Sequence, residues 1–329
     1  MPSLADESAL LRDLDALAAA GRYQEVLERL AALPGAVVAT RTPMALRAAE
    51  AHGRLGALAE AERWASVALA SARARGEPHA ELRARNYQAA IALNRGNLDQ
   101  AEEHFGAAVE MARALHDPAS EARCLNNLGI VAFLRGDPNA ALASYQPALA
   151  AYQRAGLSRG VAETHHNIGI SRRHLGDFRG ALASAEEAAR LARQVNDDSL
   201  VGLVLTGRAE IHLTMGDLAM AEAELQAAEQ AYRRVQFRSG LSEVWRVRAG
   251  VARSRGDLTA AVQLLREAAE LAATQGTAEV LSATERDLGA ALAAAGDATG
   301  ARAARARALA IFRRLGAADE IRALETLLA

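Results

Sequence analysis

Alanine and leucine supply most of the apolar positions in this chain, and glycines interrupt them at fixed intervals. Gly56, Gly96, Gly136, Gly176, Gly216, Gly256 and Gly296 each stand 40 residues from the next, and Gly21 precedes the first by 35. A constant period of this length is the mark of stacked structural repeats. In six of the repeats the next residue is Asn97, Asp137, Asp177, Asp217, Asp257 or Asp297. Glycine accepts the left-handed conformation that ends a helix, and Asp or Asn then caps the next helix by accepting its free N–H groups. Pro138 follows Asp137 at the first helical position, where proline is tolerated. Each repeat therefore reads as helix A, a two-residue turn, and helix B.

Twenty residues after the turn glycines lie Gly76, Gly156, Asn196, Gly276 and Gly316, which predict the ends of the B helices; His116 and Gln236 break this rule. Helix A is expected to run about 14–16 residues and helix B about 18. In repeat four these are roughly Ser120–Arg135 and Pro138–Ala155. Small residues recur seven before the glycine (Ala49, Ala89, Gly129, Gly169, Ala209, Ala249, Gly289), five after it (Ala61 to Ala301) and twelve after it (Ala68 to Ala308). Such positions let helix axes approach closely. Phe105, Tyr145, Leu225 and Leu265, nine after the glycine, are suited to fill the gaps between repeats.

Composition narrows the class. Of 329 residues, 51% are apolar and only 4% aromatic, which favours many close helix contacts over one thick core. The net charge of −2 gives no global case for nucleic acid or an anionic membrane. There is no lysine, which excludes a P-loop or Schiff-base lysine. The single cysteine, Cys124, excludes an intramolecular disulfide and reads as a buried, inert thiol. Neither a signal peptide nor a membrane span is legible, so the expected location is the cytoplasm.

The residues now support a specific resemblance. Leu128-Gly129, Gly136, Ala141 and Ala148 follow the pattern of the tetratricopeptide repeat, as do Ile168-Gly169, Gly176, Ala181 and Ala188, and Leu288-Gly289, Gly296, Ala301 and Ala308. The departures are a period of 40 instead of 34 and the missing proline at the end of helix B. The chain resembles the long-repeat subclass found in polarity adaptors, kinesin light chains, bacterial peptide-sensing regulators and the sensor arms of large bacterial transcription regulators. That resemblance implies an all-α fold, a right-handed α-solenoid of about eight helix-turn-helix repeats. One domain spans 1–329: a variant first repeat over 1–40, seven repeats over 41–316 and a capping helix over 317–329. In the variant repeat Leu14, Val26 and Leu33 take the small-residue positions. In the cap, Asp319–Leu328, residues Ile321, Leu324, Leu327 and Leu328 are expected on one face.

In the family, helix A lines a concave face. The positions that resemblance turns inward lie 13, 10 and 6 before the turn glycine, one helical stripe. They place Arg83, Asn86, Arg123, Asn126, Ile130, Glu163, His166, Ile170, Glu210 and Arg246 in a candidate peptide groove, centred on repeats three to five, to which Asn127 and Asn167 at the adjacent position nine before the glycine and Arg173 three before it are added. Asparagine can pair with a peptide backbone, and arginine with a carboxylate through two parallel hydrogen bonds. The bland alternative is a solvated helix face.

Other chemistry is thin. His166 and His174 lie eight apart, about 12 Å along a helix, too far to share a metal ion. No nucleophile, Walker or dinucleotide signature occurs, and no cofactor is expected. The arginines of the last repeat, Arg302, Arg305, Arg307, Arg313 and Arg314, read either as a solvated face or as contacts to a partner or to an acid on the final helix. Pro147 falls inside helix B of repeat four. The expected function is a non-catalytic adaptor or scaffold that holds a protein or peptide segment of acidic character. The alternative is a ligand- or peptide-sensing module acting on a separate effector, because the repeats begin too near Met1 to leave room for a DNA-binding domain. Oligomeric state is left open.

Overall fold

A computed structural model describes residues 4–19, 22–275, 278–315 and 317–329, which form eighteen α-helices and no strand. The expected cap residues Gly21, Gly276 and Gly316 lie outside the described residues. The chain divides into two compact units, Met1–Leu128 and Gly129–Ala329.

The first unit contains α1 (Leu4–Ala19), α2 (Tyr23–Ala31), α3 (Gly35–Thr40), α4 (Thr42–Arg54), α5 (Leu58–Arg75), α6 (Pro78–Asn94), α7 (Leu98–Ala114) and α8 (Pro118–Leu134) as far as Leu128. The second contains the rest of α8, then α9 (Pro138–Arg154), α10 (Ser158–His174), α11 (Phe178–Gln194), α12 (Asp198–Met215), α13 (Leu218–Arg234), α14 (Arg238–Ser254), α15 (Leu258–Gln275), α16 (Ala278–Ala294), α17 (Ala298–Leu315) and α18 (Ala318–Leu328). Within each unit consecutive helices pack as hairpins, α4 on α5 and α10 on α11 for example. The A helices also touch the A helices of neighbouring repeats, as α10 does α12 and α12 does α14. This is the α-solenoid class of fold.

The turns form for the reason the sequence supplies. All seven turn glycines are left-handed, with φ between 74° and 86°. The Asp or Asn that follows accepts from the backbone N–H three residues on, at 2.9 Å from Asp137 Oδ1 to Ala140 and 2.8 Å from Asp297 Oδ1 to Gly300. Two A helices carry the same cap, Asp117 before α8 and Asp197 before α12, which accept from Ser120 and Leu200 at 3.0 Å. His116, Asn196 and Gln236 are left-handed too, with φ of 53°, 51° and 53°. The backbone bond that closes a glycine-ended helix is kept there, from Asp117 N to Ala112 O and from Phe237 N to Tyr232 O, both 2.9 Å. So the two residues that break the sequence rule do not break the turn. Each adopts glycine's conformation at a strain of about 1 kcal/mol, and the backbone bonds that close the helix end are kept. The A helices from α6 to α16 run 17 or 18 residues, longer than expected. Those from α6 to α14 begin two residues after the left-handed position, with little turn between.

Packing follows the small-residue register. Ala61, Ala101, Ala141, Ala181, Ala221 and Ala261, and Ala68 through Ala308 at the second position, are 0% exposed. Phe105, Tyr145, Leu225 and Leu265 are buried as expected. Glycine–tyrosine pairs add a second kind of contact. A Cβ on Gly129 would lie 2.2 Å from the Tyr145 ring, and one on Gly160 would lie 2.4 Å from Tyr152. Tyr232 sits against both Gly202 and Gly240, at 2.6 and 2.5 Å by the same measure. These rings press on bare backbone, so the glycines are required for space. Arg305 takes the same place in the last repeat. Its alkyl stem covers Gly289, as a long basic side chain can while its head stays in water.

Both ends differ from the middle. α2 stops after nine residues, where the B helices of the regular repeats run 17 or 18, and the chain turns through Pro34 into the short α3. Leu14 and Val26 are fully buried there. At the other end α18 packs Leu324 against Ala308, Leu309 and Phe312, with Ile321 and Leu328 beside it. Leu327, expected on that face, is 56% exposed. At 100° per residue it falls well away from the line through 321, 324 and 328. Arg313 of α17 meets Glu325 of α18 at 2.6 Å, so an acid on the final helix does receive one of the terminal arginines.

Candidate functional site: the polar stripes of the A helices

In the first unit the stripe lies on α6 and α8. Arg83 and Arg123 are exposed, and among the described residues neither has a carboxylate within ion-pair distance. Arg83 stands beside the Tyr87 hydroxyl. Asn86 and Asn127 are half-buried and Asn126 is buried. The Cys124 thiol donates to Asn86 Oδ1 at 3.5 Å. Burial pushes that thiol up to about 12, so it is protonated and unreactive at neutral pH.

In the second unit the stripe is organised differently. Ile130 and Ile170 are half-buried, and Ile130 packs with Tyr145 and Ile168. Glu163 accepts from Arg159 at 2.9 Å, and Arg159 also reaches Asp197 at 2.8 Å. The His166 ring lies on Gly207, where a Cβ would come within 2.6 Å of Cε1. Burial drives His166 down to about 4, so the ring is neutral. Asn167 stands half-buried beside it.

The remaining charged members join one ion-pair ladder. Arg173 of α10 donates to Glu210 of α12 at 3.3 Å, and Glu210 also accepts from Arg246 of α14. Arg246 reaches Glu243 on its own helix at 2.5 Å and Asp287 of α16 at 2.8 Å. Arg286 pairs with Asp287 at 2.9 Å and with Glu320 of α18 at 2.5 Å. Five successive A helices are thus linked by three guanidinium groups and four carboxylates. Burial pushes the Glu210 carboxyl up, but Arg246 and Arg173 outweigh it and hold the group below the usual carboxylate range. Burial works against the charge on Arg246 as well, and Glu243 and Glu210 outweigh it. Only 11% of the Arg246 side chain and 18% of Glu210 is exposed. These groups are matched to one another, which leaves their donors little to offer a ligand carboxylate.

Nearby, Arg173 Nε, Ser171 Oγ and His212 Nδ1 are buried without a hydrogen-bond partner, and Leu203 of α12 is 39% exposed. The sequence reading brought Glu210 and Arg246 into one stripe without pairing them, and it left Glu243, Asp287 and Glu320 out. A signal was present. Opposite charges stand close to one period apart, Arg173 with Glu210, Arg246 with Asp287 and Arg286 with Glu320. Among the described residues no group of three potential metal ligands assembles, and no helix is long and apolar enough to cross a membrane.

Residues 80–154 match the tetratricopeptide repeat family. No curated protein matches the sequence. Among solved structures, a Rap protein complexed with competence and sporulation factor superposes with a TM-score of 0.63 at 15% identity, over 98% of this chain and 94% of that one. NprR in complex with its cognate peptide NprX gives 0.63 at 13% identity, over 98% and 99%. BtubC from P. vanneervenii gives 0.52 at 21% identity, over 69% and 92%. At these identities the likeness is one of fold.

Proposed function

We propose, from the premise that this is a tetratricopeptide repeat protein, that it is a non-catalytic interaction module, an adaptor or scaffold that holds a peptide or protein segment against the polar stripes of its A helices. The residues assigned to that contact are Arg83, Asn86, Arg123, Asn126 and Asn127 in the first unit. In the second they are Ile130, Glu163, His166, Asn167, Ile170, Arg173, Glu210 and Arg246. The observation that carries the acidic preference is local to the first unit: Arg83 and Arg123 are exposed and without carboxylate partners among the described residues. A guanidinium held in this way suits a carboxylate of the bound segment. In the second unit the ladder satisfies its own charges, so that stripe suits main-chain amides and apolar side chains, with Leu203 as a contact. The Rap and NprR structures, which share the fold over nearly the whole chain, were solved with a signalling factor and a cognate peptide. They favour a second reading, in which the bound segment is a signal and the chain acts on a separate effector.

Affinity capture followed by a peptide array of the recovered partners tests the assignment. Acidic segments are expected to bind, and Arg83→Ala with Arg123→Ala is expected to weaken them about tenfold, an effect that shrinks as salt rises. Binders indifferent to the double substitution, or the absence of any binder, would sink it.

A further inference from the structure

The first repeat is irregular, with α2 only nine residues long, and a space lies beside it. A cavity of about 400 Å³ opens between the first repeat and α4–α5 of the first unit. One wall is aliphatic: Leu27 and Leu30 of α2, Leu33 in the connection and Val38 of α3. Trp64 of α5 also lines the cavity, only partly buried although three apolar clusters reach it. At the mouth, the Arg63 guanidinium stacks over the Trp64 ring, 4.7 Å from its centroid. His52 of α4 lines the same space. Burial moves His52 below its ordinary value, so it is neutral at pH 7 and offers a hydrogen bond instead of a charge.

A cavity of this size with an apolar body and a few polar groups at one end is built as small-molecule sites are built. A flat apolar ring suits a space lined by an indole and several leucines. The charged group at the mouth is cationic, and its present partner can be displaced. Arg63 is bonded to Glu60 at 2.7 Å, but both side chains are about half exposed, at 56% and 49%. Exposed pairs of that kind are worth little. An anionic substituent on the ring would compete with Glu60 for a guanidinium already fixed over the tryptophan, where cation–π contact holds its orientation.

We propose that this cavity is a binding site for a flat aromatic or polycyclic apolar group carrying an anionic substituent, with the ring among Trp64 and the leucines and the anion on Arg63. The site lies apart from the stripes of the A helices and does not depend on their reading.

Two fluorescent probes that differ only in charge test it on the full chain: 1-anilinonaphthalene-8-sulfonate and neutral N-phenyl-1-naphthylamine. Trp245→Phe leaves Trp64 as the sole tryptophan, so energy transfer from tryptophan to probe reports this site. Saturable transfer to the sulfonate at one probe per chain is expected, with about tenfold tighter binding than the neutral probe. Arg63→Gln should abolish that difference and leave the neutral probe unchanged. Gly35 also lines the cavity, and a Cβ there meets nothing within 4 Å, so Gly35→Leu adds bulk at the lining with no clash at Cβ. It should weaken both probes at least tenfold with the helical circular dichroism intact. Equal affinity for the two probes, or transfer that survives Gly35→Leu, overturns the proposal.

Discussion

The same helical stripe serves opposite ends in the two units. Arg83 and Arg123 of the first unit are exposed, with no carboxylate among the described residues to hold them, whereas Arg246 of the second is wedged among Glu210, Glu243 and Asp287 with 11% of its side chain exposed. An arginine on a groove-facing stripe is therefore no guide by itself to a ligand's charge. Its neighbours one repeat away decide whether the guanidinium is available or already matched. Small residues divide in a similar way. The second unit pairs Gly129 with Tyr145, and Gly202 and Gly240 with Tyr232. In the first unit Ala49 and Ala89 hold the place of Gly129, seven before the turn glycine, as Ala209 and Ala249 do in the second.

The sharpest way to break this contrast is to remove the centre of the ladder. Arg246→Ala removes the cation shared by three carboxylates in a partly desolvated place, leaving Arg173 to Glu210 and Arg286 to Asp287, and is expected to cost about 3–4 kcal/mol, read as a shift of the urea midpoint. Glu210→Leu with Arg246→Leu should cost much less than Arg246→Ala alone. Were Arg246→Ala as mild as Arg123→Ala, the two stripes would be energetically alike. Next is Gly129→Ala, which drives a methyl into the Tyr145 ring and should cost about 2–3 kcal/mol. Gly129→Ala with Tyr145→Leu should recover part of it.

A smaller effect depends on pH. His166 in the fold is held near 4, against 6.5 in an unfolded chain, so the unfolded chain takes up the proton first. The stability tied to the neutral ring is complete above about pH 6.5 and declines as the pH falls toward 4, by about 2 kcal/mol. Comparing His166→Leu with the parent chain at pH 7 and pH 4.5 isolates this share, since the other carboxylates titrate in both. A parent that loses no more than the variant would show the ring to be solvated in the fold. The smallest effect runs the other way. Gln236→Gly relieves a left-handed glutamine and should stabilise by about 0.5–1 kcal/mol, with His116→Gly similar; thermal melts resolve it.

Much of the fold was legible because its determinants are local. A glycine that must be left-handed, an Asp that caps the next three residues and an alanine every few positions declare themselves without reference to distant residues. Gln236 and His116 mark the limit. Nothing in a glutamine announces a left-handed turn, and the conformation shows only in the folded chain. The sequence stripe gave the positions of the candidate site as a register and said little about their state. Asn126 is buried, His166 is neutral under Gly207, and Arg173 and Arg246 are bonded to carboxylates that register alone did not single out.

By itself the sequence determined the repeat, its turns, its caps and the faces along which helices approach, since each rests on backbone conformation or side-chain volume within one repeat. Only the tertiary structure decided which arginines remain free, which glycines bear an aromatic ring, and that a cavity lies beside α2 and Trp64. Those properties are sums over residues about a repeat apart in the chain, and burial and charge pairing exist only once the repeats are stacked.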